Sequence, residues 1–343
     1  MTFRKLLLLI VISGCQVDAF PQETFTNPLL PSGPDPWSIY VDGYYYYTHS
    51  MQNRIVIWKT NNLANLKEAE EKTIFQPPSG KEYSKELWAP EIHYIDGVWY
   101  AYFAADDGNN DNHRMYVLRN KRNPIVDEWE FLGQIKGMTD NWAIDGSVFK
   151  HQKQLYMVWS GWEGEKNGRQ DIFIAKMKNP WTVQGDRVKL SSPEYDWERN
   201  GTLYNDGKPY YVYVNEGPQI LEHGENLFLI YSASGCWTDN YSLGMLAISK
   251  DADLLSPGNW TKSKTPVFSQ SPENGVYAPG HNSFFKSPDG TEDWILYHAN
   301  DEAGFGCGPR RSPRAQKFTW GDDGRPVFGK PVGKGVPLNI PSR

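Results

Sequence analysis

The stretch Asp35-Pro36-Trp37-Ser38-Ile39-Tyr40-Val41-Asp42-Gly43-Tyr44-Tyr45-Tyr46-Tyr47-Thr48 decides the fold of this chain. Two runs rich in β-branched and aromatic residues flank Asp42-Gly43. Asp-Gly between such runs is a strong hairpin signal, because both turn residues must take positive φ. The same plan returns four more times. It starts again at Glu91 and turns at Asp96-Gly97; at Asp145, turning at His151-Gln152-Lys153; at Glu216, turning at Glu222-His223-Gly224; and at His281, turning at Ser287-Pro288-Asp289-Gly290. The starts are 56, 54, 71 and 65 residues apart. Such intervals are too long for a helical solenoid unit and fit four short strands each. Strand-like runs at 54–60, 115–119, 171–177 and 243–249 supply the third strands. Four-stranded units arranged radially leave only short edges. The expectation is therefore an all-β, five-bladed β-propeller over residues 27–343, forming a single domain. Segment 61–71 is highly charged and reads as a solvated loop or one helical turn. The tail 318–341 reads as a closing strand packed beneath the ring.

Composition excludes several function classes. The 343 residues carry 35 Lys and Arg against 41 Asp and Glu, a net charge of −6. No basic footprint for a nucleic acid is present, and the 14% aromatic content argues against disorder. At the N-terminus, Arg4 and Lys5 precede an apolar run at 6–12, the pattern of a secretory signal. Ile12-Ser13-Gly14-Cys15 resembles a bacterial lipobox, which makes 1–15 a lipoprotein signal with Cys15 lipidated and 16–26 a short tether. The alternative is an ordinary signal cut after Val17-Asp18-Ala19. The expected location is beyond the inner membrane, periplasmic or at the cell surface, with membrane contact only through the lipid. Cys236 and Cys307 remain. In an oxidising compartment they can pair, and two free buried thiols are the alternative reading.

In a propeller the first strand of each blade lines the central channel. The repeat starts Asp35, Glu91, Asp145, Glu216 and His281 should therefore converge on the axis, although each opens an apolar strand where a buried charge is costly. Carboxylates held close in a dry cleft have their pKa values pushed apart, one staying an acid and another a base. Glycosidic bond cleavage needs that pair. Trp37, Trp88, Trp142 and Trp162 lie beside these starts and read as sugar platforms, with core packing as the alternative for any one of them.

With these residues in hand the chain resembles glycoside hydrolase family 43. The motifs are Gly33-Pro34-Asp35-Pro36-Trp37, Trp142-Ala143-Ile144-Asp145-Gly146-Ser147 and Val214-Asn215-Glu216-Gly217-Pro218. The resemblance runs from Asn27 nearly to the C-terminus. It implies a five-bladed propeller with an inverting mechanism, Asp35 as general base, Glu216 as general acid and Asp145 as the group that orients the acid and sets its pKa. It implies that Arg311 approaches the base and substrate, with Arg314 as the rival. It implies that His281 helps hold a hydrated axial cation (Ca2+ or Na+), or else only hydrogen-bonds in the channel. No cofactor is needed for the chemistry. Glu91 reads as structural or substrate-orienting. Trp88-Ala89-Pro90-Glu91, Ser160-Gly161-Trp162-Glu163-Gly164 and Ser232-Ala233-Ser234-Gly235-Cys236-Trp237 resemble the α-L-arabinofuranosidase branch. The implied partner is an arabinose-containing plant cell-wall polysaccharide or oligosaccharide, cut by an exo-acting monomer. A β-xylosidase, an endo-arabinanase and a non-catalytic surface glycan-binding lipoprotein are the alternatives.

Overall fold

The structure, a computed structural model, describes residues 23–343. The lipobox and signal readings at 1–15, with Cys15, and most of the tether lie outside the described residues. The chain is all β, interrupted by short 3-10 turns. Each predicted hairpin is present and is followed by a third and a fourth antiparallel strand. One four-stranded sheet comprises Trp37–Val41, Tyr44–Thr48, Ile55–Thr60 and Glu70–Phe75. A second comprises Lys85–Ile95, Val98–Asp106, Arg114–Asn120 and Glu130–Gln134. A third runs from Tyr277–Lys286 through Asp293–Asn300 and Ser312–Trp320 to Pro326–Val327. Between them lies an eight-stranded sheet made of two such runs, one opening with Ala143–His151 and the other with Tyr213–His223. A two-residue parallel contact, Arg169 to Tyr213 and Gln170 to Val214, stitches the runs together.

Turn chemistry explains the hairpins. Asp42 (φ 51°) with Gly43 (84°), and Asp96 (49°) with Gly97 (83°), have positive φ at both positions, as their sequence demands. The third hairpin has the same geometry without a glycine, on Gln152 (46°) and Lys153 (69°). The fourth turn falls at Gly224-Glu225, one residue later than the sequence suggests, because His223 pairs with Asn226.

Apolar residues alternate between two buried faces along each strand, so each run packs against both neighbours. In the first run Tyr46, Ile55 and Ile57 pack on Ile92, Ala101 and Phe103 of the next, while Tyr45 and Tyr47 turn the other way onto Phe285, Trp294 and Leu296. Similar clusters fill the remaining junctions. The opening strands touch in order, and Tyr277–Lys286 returns to Trp37–Val41, so the arrangement closes on itself. Most of the aromatic load lies in these junctions.

The ends of the fold also meet. Thr24–Thr26 pairs with Pro337–Asn339, and the Asn27 side chain bonds the Ala315 backbone in both directions. The folded region thus begins before residue 27, the boundary drawn from sequence, because 24–26 supplies a strand. The tail does supply a closing strand, at 337–339. Segment 61–71 is less solvated than its charge suggests: Leu63–Glu68 forms a 3-10 helix whose Leu63 and Leu66 are buried against the closing junction.

Candidate active site

Every opening strand carries the same irregularity at its start. Four residues oppose three: Trp88–Glu91 faces Tyr102–Ala104, Ile144–Ser147 faces Val158–Ser160, Glu216–Gln219 faces Ile230–Ser232, and Gly280–Ser283 faces Leu296–His298. In the first run Pro34 bonds Ser50 and Trp37 pairs with Thr48, which gives the same count. The first residue inside each bulge has positive φ: Asp35 57°, Ala89 43°, Asp145 55°, Gly217 57° and His281 50°. Bulges re-aim side chains and gather at active sites. Here they turn Asp35, Asp145 and His281 out of the strand register into one cavity.

This register corrects the sequence alignment of repeat starts. Asp35, Asp145 and His281 are equivalent. Glu216 stands one position earlier, level with Trp88, and Glu91 two positions later, level with Trp37 and Gln219. Glu91 therefore points away from the cavity into the interior, where it meets His93 Nε2 at 2.7 Å and accepts a hydrogen bond from Gln219, which in turn accepts one from Ser147.

A side chain from the next strand locks several of these bulges across a junction. The Ser50 hydroxyl accepts the Ala89 N–H at 2.7 Å, the Ser232 hydroxyl accepts the His281 N–H at 2.8 Å, and His298 Nδ1 accepts the Asp35 N–H at 3.0 Å. Ser50, Ser232 and His298 hold equivalent positions, so His298 performs at the closing junction what serine performs elsewhere. Its role had no sequence signal beyond its place in the repeat.

The cavity measures about 850 Å³, ample for a sugar and part of its aglycone. Asp35, Asp145, Glu216, His281, Arg311, Trp88 and Trp142 all line it. Trp37 and Trp162 do not. Trp37 donates to the Ile92 carbonyl and packs at a tilt on His93, and Trp162 is buried behind Trp142, ring on ring at 4.8 Å. Their expected platform role is corrected to packing, because each points into a sheet junction. Of the two candidate arginines, Arg311 reaches Asp35 and Arg314 is buried against Asp301. Sequence reading missed Trp237, Tyr210 and Leu203, which reach the cavity from loops and a small hairpin. It left open the pairing of Cys236 with Cys307; these form a disulfide on the cavity wall.

The carboxyls are tuned in opposite directions. Burial alone would raise Asp35, but the Arg311 guanidinium at 2.9 Å, His281, His298 and the Ser50 hydroxyl at 2.6 Å together outweigh it and hold the carboxyl well below the usual range. Glu216 goes the other way, up to about 7. Burial is the main cause, the Asp35 charge adds to it, and the hydrogen bond from Tyr241 (2.7 Å) opposes it. Asp145 is raised as well, by burial and then by Glu216, while accepting the Gly217 N–H at 3.0 Å. Asp145 and Glu216 therefore titrate as a pair, with a proton retained between them near neutrality. His281 lies 3.4 Å from Asp35 and burial pushes its pKa down. Among the described residues no group of three or more His, Cys, Asp or Glu side chains could hold a metal ion. His281 and the unpartnered buried amide of Asn282 are a sparse donor set for a hard cation.

A carboxylate fixed as a base and a carboxyl kept protonated, facing one cavity, are the equipment of a glycoside hydrolase. The chain belongs to glycosyl hydrolases family 43, whose profile matches residues 25–326; the fold of that family is a β-propeller. The chain is 40% identical over 328 residues to an extracellular exo-α-(1→5)-L-arabinofuranosidase of Streptomyces avermitilis, covering 93% of this chain and 66% of that enzyme. It is 35% identical to α-L-arabinofuranosidase 43 of Humicola insolens, covering 94% and 67%. It thus spans about two thirds of the length of these relatives. Among solved structures, an α-L-arabinofuranosidase from Lactobacillus brevis superposes with a TM-score of 0.83 at 40% identity, over 91% of this chain and 98% of that one.

Proposed function

We propose that this chain is an inverting, exo-acting α-L-arabinofuranosidase that removes terminal arabinofuranosyl units from arabinan or arabinoxylan side chains or oligosaccharides. The opposed tuning of Asp35 and Glu216 about one cavity carries the reading, and the names of the relatives supply the sugar. Glu216, protonated near neutrality, gives its proton to the leaving oxygen. Asp35, kept ionised by Arg311, takes a proton from water, and that water attacks the anomeric carbon from the opposite face. Inversion needs roughly 6.5–9.5 Å between the two carboxyls to admit the water. Asp145 grips the backbone just past Glu216, which aims the acid, and the pair holds a proton near neutrality for transfer. Trp88 and Trp142 offer the walls against which the sugar packs.

The reading extends to five blades, counting the eight-stranded sheet as two; the cyclic contact of the opening strands and the hydrophobic junctions between runs support it. It includes export across the inner membrane, which the extracellular relatives support, with a lipid on Cys15 and a monomeric state. An axial Ca2+ or Na+ reached through water by His281 is carried as part of the proposal, and no step above is assigned to it.

The test is the first-formed product. Wild-type protein acting on nitrophenyl α-L-arabinofuranoside should release the β-anomer, seen by NMR before mutarotation, and linear arabinan should yield free arabinose. Release of the α-anomer overturns inversion. A preference for nitrophenyl β-xyloside, or oligosaccharides as the first arabinan products, overturns the substrate and exo assignments.

A further inference from the structure

The longest interval between repeat starts, 71 residues, contains a two-stranded sheet that joins no other: Thr202–Asn205 paired with Lys208–Tyr211. It stands on the cavity rim. Leu203 and Tyr210 are cross-strand partners on one face, and both line the cavity. Successive side chains alternate between faces, so Thr202, Tyr204, Pro209 and Tyr211 occupy the face turned away from it. There Tyr204 is 71% and Tyr211 55% exposed, unusual values for rings of this size. The Tyr211 ring continues to Tyr213 at a centroid distance of 6.3 Å, and the Arg199 guanidinium covers Tyr213 at 6.0 Å. The result is a ribbon of three tyrosines running from the hairpin toward the strand that carries Glu216. Among the described residues eight large hydrophobic side chains are exposed, and three of them (Tyr204, Tyr210 and Tyr211) belong to this hairpin.

Packing does not explain that concentration, since the hairpin covers nothing with its outer face. We propose that the Tyr204–Tyr211–Tyr213 ribbon is a second carbohydrate-binding surface, which takes the neutral polysaccharide chain at a distance from the bond being cut. Tyrosine rings offer flat apolar faces to the C–H faces of sugar rings and a hydroxyl to the sugar hydroxyls. The occupant follows from continuity: one wall of the hairpin is the cavity wall, so a polymer whose terminal unit fills the cavity passes beside it. This inference rests on the glycosidase reading of the cavity.

The experiment compares the parent with Tyr204→Ala/Tyr211→Ala, two exposed positions whose truncation leaves the core intact. Retention in native gels containing arabinan or arabinoxylan is measured in a Glu216→Gln background, so that the polymer is not consumed. Kinetics on polymer and on nitrophenyl α-L-arabinofuranoside are measured in the active background. The ribbon variant should lose retention and raise KM on polymer roughly three- to tenfold, with nitrophenyl kinetics unchanged. Unchanged retention and unchanged polymer KM overturn the proposal. So does sedimentation that shows a dimer lost in the variant, which would give the face to a second copy of the chain. Failure of the parent on the nitrophenyl substrate overturns the glycosidase reading alone, because gel retention still reports on the ribbon.

Discussion

Asp35 and Glu216 are both carboxyls buried in one cavity, yet their nearest polar partners separate them. Asp35 has Arg311 at 2.9 Å and Glu216 has a neutral tyrosine. Replacing Arg311 by Met should let burial push Asp35 upward. The acid limb of the kcat/KM profile then moves to higher pH, and the basic limb, set by protonation of Glu216 near 7, shifts upward to a lesser extent because Arg311 also lowers Glu216. A profile whose acid limb stays in place would remove Arg311 from this role. Glu216→Gln should cost about 10²–10⁴ in rate on natural glycosides, and less on aglycones that leave without a proton. It carries a stability signature as well. The folded pKa of Glu216 lies above its ordinary 4.5, so burial is tolerated while the group is protonated and opposes folding increasingly as pH climbs from 4.5 through 7. The Gln variant should therefore match the parent below pH 4 in thermal melts and exceed it above pH 7, by on the order of 3 kcal/mol at most.

Hairpins were legible wherever residue type dictates backbone geometry. Asp42-Gly43 and Asp96-Gly97 announce positive φ at both positions, and the structure has it. Gln152-Lys153 adopts the same turn with no residue suited to it, so Lys153→Gly should stabilise the protein by about 0.5–1 kcal/mol, read from denaturant midpoints. An unchanged or lowered midpoint would mean that the Lys153 side chain supports the turn. The bulges were not legible, because positive φ at residues as different as Ala89 and His281 is imposed by the junctions and not by residue type. Their invisibility explains why Glu91 and Glu216 were placed level with Asp35: composition marks an acidic residue near a strand start but not which pleat it occupies. The cavity residues Trp237 and Tyr210 were hidden for a different reason. They sit on a loop and on a small rim hairpin whose placement depends on the finished ring, whereas Asp35, Asp145 and Glu216 sit in motifs that a sequence carries intact.

At the scale of the whole molecule, the runs hold one another mainly through side-chain junctions, and covalent support is concentrated at the cavity. The disulfide between Cys236 and Cys307 ties the loop bearing Trp237 to the loop leading to Arg311, across a sequence separation of 71 residues. Chain-entropy arithmetic for that separation gives roughly 4 kcal/mol. Cys236→Ser/Cys307→Ser should lower the melting temperature of the oxidised protein, and reductant should lower the parent to the same value. If reductant leaves the parent unmoved, the bridge is not what holds these loops.

Thr24–Thr26 and Pro337–Asn339 are neighbours in one small sheet, so a traveller along the described backbone finishes beside the starting point. The molecule is in effect a circle with one cut, and the cut lies away from the groups that do the chemistry. Evolution or an engineer can move it: joining the present ends and reopening the chain at an exposed tip such as 206–207 preserves every junction between sheets. The order in which Asp35, Asp145 and Glu216 leave the ribosome is thus an accident of history, while their order around the ring is fixed.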